Sequence, residues 1–153
     1  MAEIVVADAG PLIALGRLRK IELLARIFAK VIVPRTVFEE TQFRPDLPDA
    51  RAIVAARQSG VFIVDNSSAG SPDVPTDGEL GDGEAAAISL AAALGHGVLI
   101  DDKHGRAVAV ALNLRIIGTL CSQPRVAVLA VVHQSRNPAT WPRRSGSARQ
   151  GGA

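Results

Sequence analysis

The sequence is poor in the residues from which many small sites are built. Among its 153 residues are one cysteine (Cys121), three histidines and no tyrosine, and aromatics make up 3%. One thiol excludes an internal disulfide and fits a reducing cytosol. So few His and Cys cannot assemble a zinc site, and no motif supports a Cys–His nucleophilic pair. The scarcity of aromatics argues against a base-stacking sheet of the RRM or OB kind. No apolar run approaches the ~18 residues of a membrane span, and MAEIVVAD lacks the basic start of a signal peptide. The glycines form neither a GxGxxG nor a P-loop pattern. A cytoplasmic chain without membrane contact is expected.

Acidic residues are missing from one third of the chain. Residues 103–153 carry eight Lys/Arg and no acid, a balance of +8, whereas residues 1–102 carry nine Lys/Arg against fifteen Asp/Glu, a balance of −6. An acidic cluster beside a basic flank suits a metal-bound phosphate substrate, and it equally describes a solvated basic tail.

What is present is an alternation of short apolar strands and helical patterns. Ile4–Ala7, Val31–Val33, Val61–Val64, Val98–Ile100 and Arg115–Ile117 read as five buried strands. The intervening segments carry helical spacing: Leu12 to Ile27, a short helix N-capped by Thr36, one over about 50–58, one over 82–94, and one over 107–112. Asp82 is the expected N-cap of the fourth, and Gly95 its stop. The alternation predicts an α/β fold with a central parallel sheet of about five strands flanked by helices. Residues 65–76 read as a loop. The organisation expected is a domain over 1–120, an apolar element over 121–134 that is helix or strand, and a basic, disordered tail over 135–153.

Parallel strands deliver their C-terminal ends to one edge, and acids stand at those ends. Asp8 follows the first strand, and Asp101 and Asp102 follow the fourth. Glu39 and Glu40 lie on the helix after the second strand, and Glu84 opens the helix before the fourth. Two carboxylates 4 Å apart repel by about 4 kcal/mol at an effective dielectric of about 20. Four converging acids therefore call for protons or a divalent cation, and Mg²⁺ or Mn²⁺ suits oxygen ligands best. Taken singly each acid has a plainer reading: Asp8 as a helix cap, Glu84 as a first-turn acid, Glu39 and Glu40 as a solvated face.

The segments VVADAGPLIAL, VIVPRTVFEE, GDGEAAAISLA and GVLIDDKHGRAVAVALNLRIIGTL, in this order, resemble a PIN domain over about residues 3–120. More narrowly they resemble the branch of prokaryotic PIN-like proteins related to VapC-type toxins. The resemblance implies a Mg²⁺- or Mn²⁺-dependent ribonuclease acting on single-stranded RNA, leaving a 5′-phosphate and a 3′-hydroxyl. It also implies a possible cognate antitoxin and a homodimer. By matching positions it implies Asp8, Glu40, Glu84 and Asp102 as the catalytic acids, with Glu39 as the fallback for Glu40. The metal would be held by Asp8, Glu84 and Asp102, with Asp101 assisting. Lys103 and Arg106 are candidates for contacting RNA backbone. The chain departs from the family pattern at Gly10 and Ile100, where hydroxyl residues are common, and at Glu84, where Asp is usual. A catalytically weak PIN-fold binding module is the alternative. A phosphatase starting from Asp8 is a weaker one, since Gly10 stands where its second Asp would be.

Overall fold

The computed structural model of the protein describes residues 3–67, 74, 78–122 and 125–131, with only the backbone course for 120–122 and 125–131. Most of the loop expected over 65–76, and the tail from 135, lie outside the described residues. Strand β1 (Ile4–Ala7) leads into helix α1 (Ala9–Arg17), followed by α2 (Leu23–Ile27), β2 (Lys30–Pro34), α3 (Arg35–Thr41) and α4 (Pro48–Gln58). Then come β3 (Ile63–Asp65), α5 (Asp82–Leu94), β4 (Gly97–Leu99), α6 (Lys103–Ala111), β5 (Ile116–Ser122) and β6 (Arg125–Val131).

The sheet order is β3-β2-β1-β4-β5-β6. The first five strands run parallel, and β6 pairs antiparallel with β5. Consecutive residues Val5, Val6 and Ala7 are all fully buried. That is the signature of a central strand covered on both faces, and it explains why this segment reads as continuously apolar rather than alternating. Leu12 and Leu15 of α1, Ile53 of α4 and Ala87, Ile88 and Ala91 of α5 share the same core with Val31, Val33, Leu99 and Ile117. Chain order reverses beside β1: β2 and β3 lie to one side of it, β4 and β5 to the other. Open α/β sheets bind ligands at such a switch point, at the carboxyl ends of the strands.

Several local expectations are corrected. Helix α3 begins at Arg35 with Pro34 as its N-cap, so Thr36 lies inside the first turn. Helix α5 is N-capped by Gly81, not Asp82, because the Glu84 carboxylate reaches back to the Gly81 N–H at 3.1 Å, one half of a capping box. Helix α6 starts at Lys103, four residues earlier than the apolar spacing suggested, because Asp102 caps it. Gly95 does end α5, in the left-handed conformation (φ 69°) that glycine adopts at no steric cost. The apolar run after Arg125 resolves as strand, and β5 continues through Gly118 to Ser122 because β6 pairs along its whole length. Of the residues set apart from position 121, 121–122 and 125–131 thus add to the same sheet.

Candidate active site at the switch point

Asp8 occupies the switch point itself. Its backbone N–H donates to the Leu99 carbonyl at 2.9 Å, tying the end of β1 to the end of β4. Although Asp8 stands at the N-cap position of α1, its side chain makes no capping hydrogen bond. The residue is 4% exposed, and Oδ1 is buried without a hydrogen-bond partner among the described residues. Burial pushes its carboxyl up from 3.8 to about 6. The Ala9 N–H pulls it back down, and the charges of Glu84, Glu40 and Asp102 raise it further. The three acids that bear on Asp8 are thus those the sequence placed at this edge.

Each of these three acids is anchored by one oxygen to a glycine N–H. Glu40 Oε1 accepts from Gly83 at 2.9 Å, joining the last turn of α3 to the first turn of α5. Glu84 Oε2 accepts from Gly81, and Asp102 Oδ2 accepts from Gly105 at 2.8 Å across the first turn of α6. Gly83 makes room for the first anchor: a Cβ there would stand 2.6 Å from the Glu40 carboxyl carbon, and the carboxylate would have to shift. The capping and catalytic readings of these acids are therefore compatible, since one carboxylate oxygen is engaged and a second remains to each. Glu39 and Glu40 are both exposed, but Glu39 is paired with Arg35 at 2.8 Å, which leaves Glu40 as the acid of α3 that bears on Asp8.

Asp101 and Arg106 belong to a different network. Asp101 Oδ1 accepts from the Thr119 N–H at 2.7 Å, Thr119 Oγ1 donates to Asp101 Oδ2, and Arg106 Nη2 lies 3.4 Å from Asp101 Oδ1. Arg106 Nε donates to the Ile100 carbonyl at 3.0 Å. This network ties the β4–α6 connection to β5. It engages Asp101 with Thr119 and Arg106, and the Arg106 side chain keeps 37% of its surface exposed. Lys103, at the start of α6, is exposed. Asp101→Ala would leave the Thr119 N–H and part of Arg106 unpaired. It is expected to lower the unfolding free energy by about 1–3 kcal/mol in urea titration.

The donor set fits a hard divalent cation by its chemistry. It consists of carboxylates only, and its most buried member has an unpartnered oxygen and resists ionisation without a compensating positive charge. Among the described residues, no three Asp, Glu, His or Cys side chains are gathered into a ready-made cage. Sequence reasoning did not find the glycine anchors. Their visible trace was Gly81-Asp82-Gly83, two glycines at the head of an otherwise strong helix.

An α/β sheet with acids converging at its switch point defines the class, a PIN-like α/β domain. The family model for DUF3368, described as a PIN domain, matches residues 4–122, and the chain belongs to that family. PIN domains are generally nucleases. Among solved structures the chain is similar to a PilT N-terminus domain protein from the hyperthermophilic archaeon Sulfolobus solfataricus P2. The identity is 21% and the TM-score 0.53, over 75% of this chain and 86% of that one, a likeness that bears on the fold. No curated protein matches the chain. Among the described residues no helix is long and apolar enough to cross a membrane.

Proposed function

We propose that this PIN-domain chain is a Mg²⁺- or Mn²⁺-dependent endoribonuclease that cleaves single-stranded RNA. The observation that carries the reading is the buried Asp8 carboxyl, raised to about 6 beside Glu84, Glu40 and Asp102. A purely structural acid at this position would be expected to cap α1, and Asp8 does not. Asp8, Glu84 and Asp102 would hold the cation, which when bound supplies charge neutralisation and a water acidic enough to act as a nucleophile near neutral pH. Glu40, held at the head of α5 by Gly83, adds negative charge beside them and is placed to accept a proton. Lys103, exposed one residue past Asp102, is available to a neighbouring phosphate. In a cytoplasmic setting the chain would act as the toxin of a toxin–antitoxin pair, with a cognate antitoxin and a second copy of itself as partners.

A second reading, a PIN fold that binds nucleic acid or protein without cleaving, draws on the lack of a three-ligand cage among the described residues. One assay separates the two. Purified protein is incubated with end-labelled single-stranded RNA in Mn²⁺ or Mg²⁺ and in EDTA. The nuclease reading expects cleavage in either metal, none in EDTA, and a fall of roughly 10²–10³-fold in Asp8→Asn or Asp102→Asn. RNA binding with no cleavage under any metal would select the binding module instead.

A further inference from the structure

The chain has four phenylalanines, and three of them are spent on the core. Phe28 and Phe62 are buried, and Phe38 packs against Phe62 with ring centroids 6.4 Å apart. Phe43 is the exception, 88% exposed. It stands one turn past Glu40, with its N–H donating to the Glu40 carbonyl at 3.3 Å. The ring is therefore displayed within a helical turn of the acid that α3 contributes to the site.

The segment that displays it is not a loose one. On the preceding turn, Thr41 is buried and its hydroxyl donates to the Phe38 carbonyl at 2.6 Å. Gln42 Nε2 donates to Thr41 Oγ1 at 3.2 Å and to the Ala50 carbonyl, at the start of α4, at 3.1 Å. Phe43 thus follows directly on two side chains that fasten this corner to α3 and α4. Next to it stands Arg44, also exposed. An exposed aromatic ring on a fastened backbone corner, beside a cation, matches the two halves of an unpaired nucleotide, its base and its phosphate.

From this juxtaposition we infer that Phe43 and Arg44 form a nucleotide-binding subsite at the rim of the acid site, Phe43 stacking on one unpaired base and Arg44 engaging an adjacent phosphate. The inference rests on the ribonuclease reading for its ligand class. It adds a reason for single-strand preference, because a base inside a duplex is already stacked and cannot offer its face.

The test uses the full chain carrying Asp8→Asn, so that RNA survives the measurement, and a fluorescein-labelled single-stranded RNA 12-mer read by anisotropy. Phe43→Ala is expected to weaken binding roughly 5- to 150-fold, the range for removing one base–aromatic stack, with an unchanged melting temperature. Phe43→Trp should restore affinity and Phe43→Leu should not, since leucine keeps the apolar surface without a π-face. In a Trp141→Phe background, Phe43→Trp emission should be quenched by the single strand and not by a duplex of the same length. Binding indifferent to Phe43→Ala, full rescue by Phe43→Leu, or unquenched Phe43→Trp emission would each overturn the subsite; an exposed ring used for a protein partner would give the first of these. Phe43-dependent binding by a wild-type chain that never cleaves would sink the nuclease reading and leave the subsite standing. Cleavage indifferent to Phe43 would do the reverse, and no RNA binding at all would sink both.

Discussion

Asp8→Asn should make the metal-free protein more stable and sharply lower the RNA cleavage that the proposed function expects. In the folded chain the Asp8 carboxyl sits at about 6, against 3.8 for an unperturbed one, chiefly through desolvation. Between those two pH values the native state binds more protons than the unfolded state, so stability falls as pH rises through the window and the full penalty is present above it. The gap corresponds to roughly 3 kcal/mol. Asparagine removes the charge at nearly constant shape, although its buried amide offsets about 1 kcal/mol or more of the gain. In EDTA at pH 8, melting should therefore rise by several degrees, at about 2–4 °C per kcal/mol for a chain of this size. At pH 4 the advantage should vanish, and the variant should melt level with or slightly below the wild type because the amide cost is what remains. Adding Mn²⁺ at pH 8 should close the gap by stabilising the wild type alone. RNA cleavage should fall roughly 10²–10³-fold, as when one electrostatic element of a preorganised site is lost. A variant that melts below the wild type at pH 8 in EDTA would identify Asp8 as an ordinary structural acid.

What could be read in the sequence follows what is local. The strand ending in Asp8 was visible because a central parallel strand is continuously apolar, and the left-handed stop at Gly95 because few other residues take that conformation. Asp8, Glu40, Glu84 and Asp102 could be grouped because parallel strands share a carboxyl edge. The division of labour within adjacent pairs cannot be read from that edge, and the preference for Glu40 over Glu39 and for Asp102 over Asp101 rests on the family resemblance alone. Asp101 differs from Asp102, and Glu39 from Glu40, only in which way a neighbouring element turns them: Asp101 toward Thr119 of β5, Glu39 toward Arg35. Arg106 reads in the sequence as a candidate RNA contact or a helix-surface charge, and its bond to the Ile100 carbonyl stays hidden because a backbone acceptor is not displayed by sequence. Phe43 escaped for the opposite reason. Its interest lies in the contacts it does not make, and an apolar residue beside a helix end reads as core until its exposure is seen.

The second large effect is expected at Gly83, and its sign should depend on another residue. Inside a helix, Gly→Ala normally stabilises by about 1 kcal/mol, because alanine loses less backbone freedom on folding. Here the added methyl would stand 2.6 Å from the Glu40 carboxyl carbon and 2.7 Å from Oε1. Glu40 would have to swing out, leaving the Gly83 N–H without its acceptor. Since an unmade hydrogen bond at a partly buried group costs about 1–3 kcal/mol, Gly83→Ala should destabilise the wild type by up to about 2 kcal/mol net. It should also lower RNA cleavage by about tenfold or more, as misplacing one group of a preorganised site does. In a Glu40→Ala background the obstruction is gone and only helix propensity is left. There, Gly83→Ala should stabilise by up to about 1 kcal/mol and cost no further activity. The coupling read from this double-mutant cycle, about 1–3 kcal/mol, measures the link between α3 and α5 directly, since residues in contact depart from additivity by this order. Additive effects in urea titration would mean that Glu40 does not hold its place through Gly83, and that α3 presents it to the site by some other support.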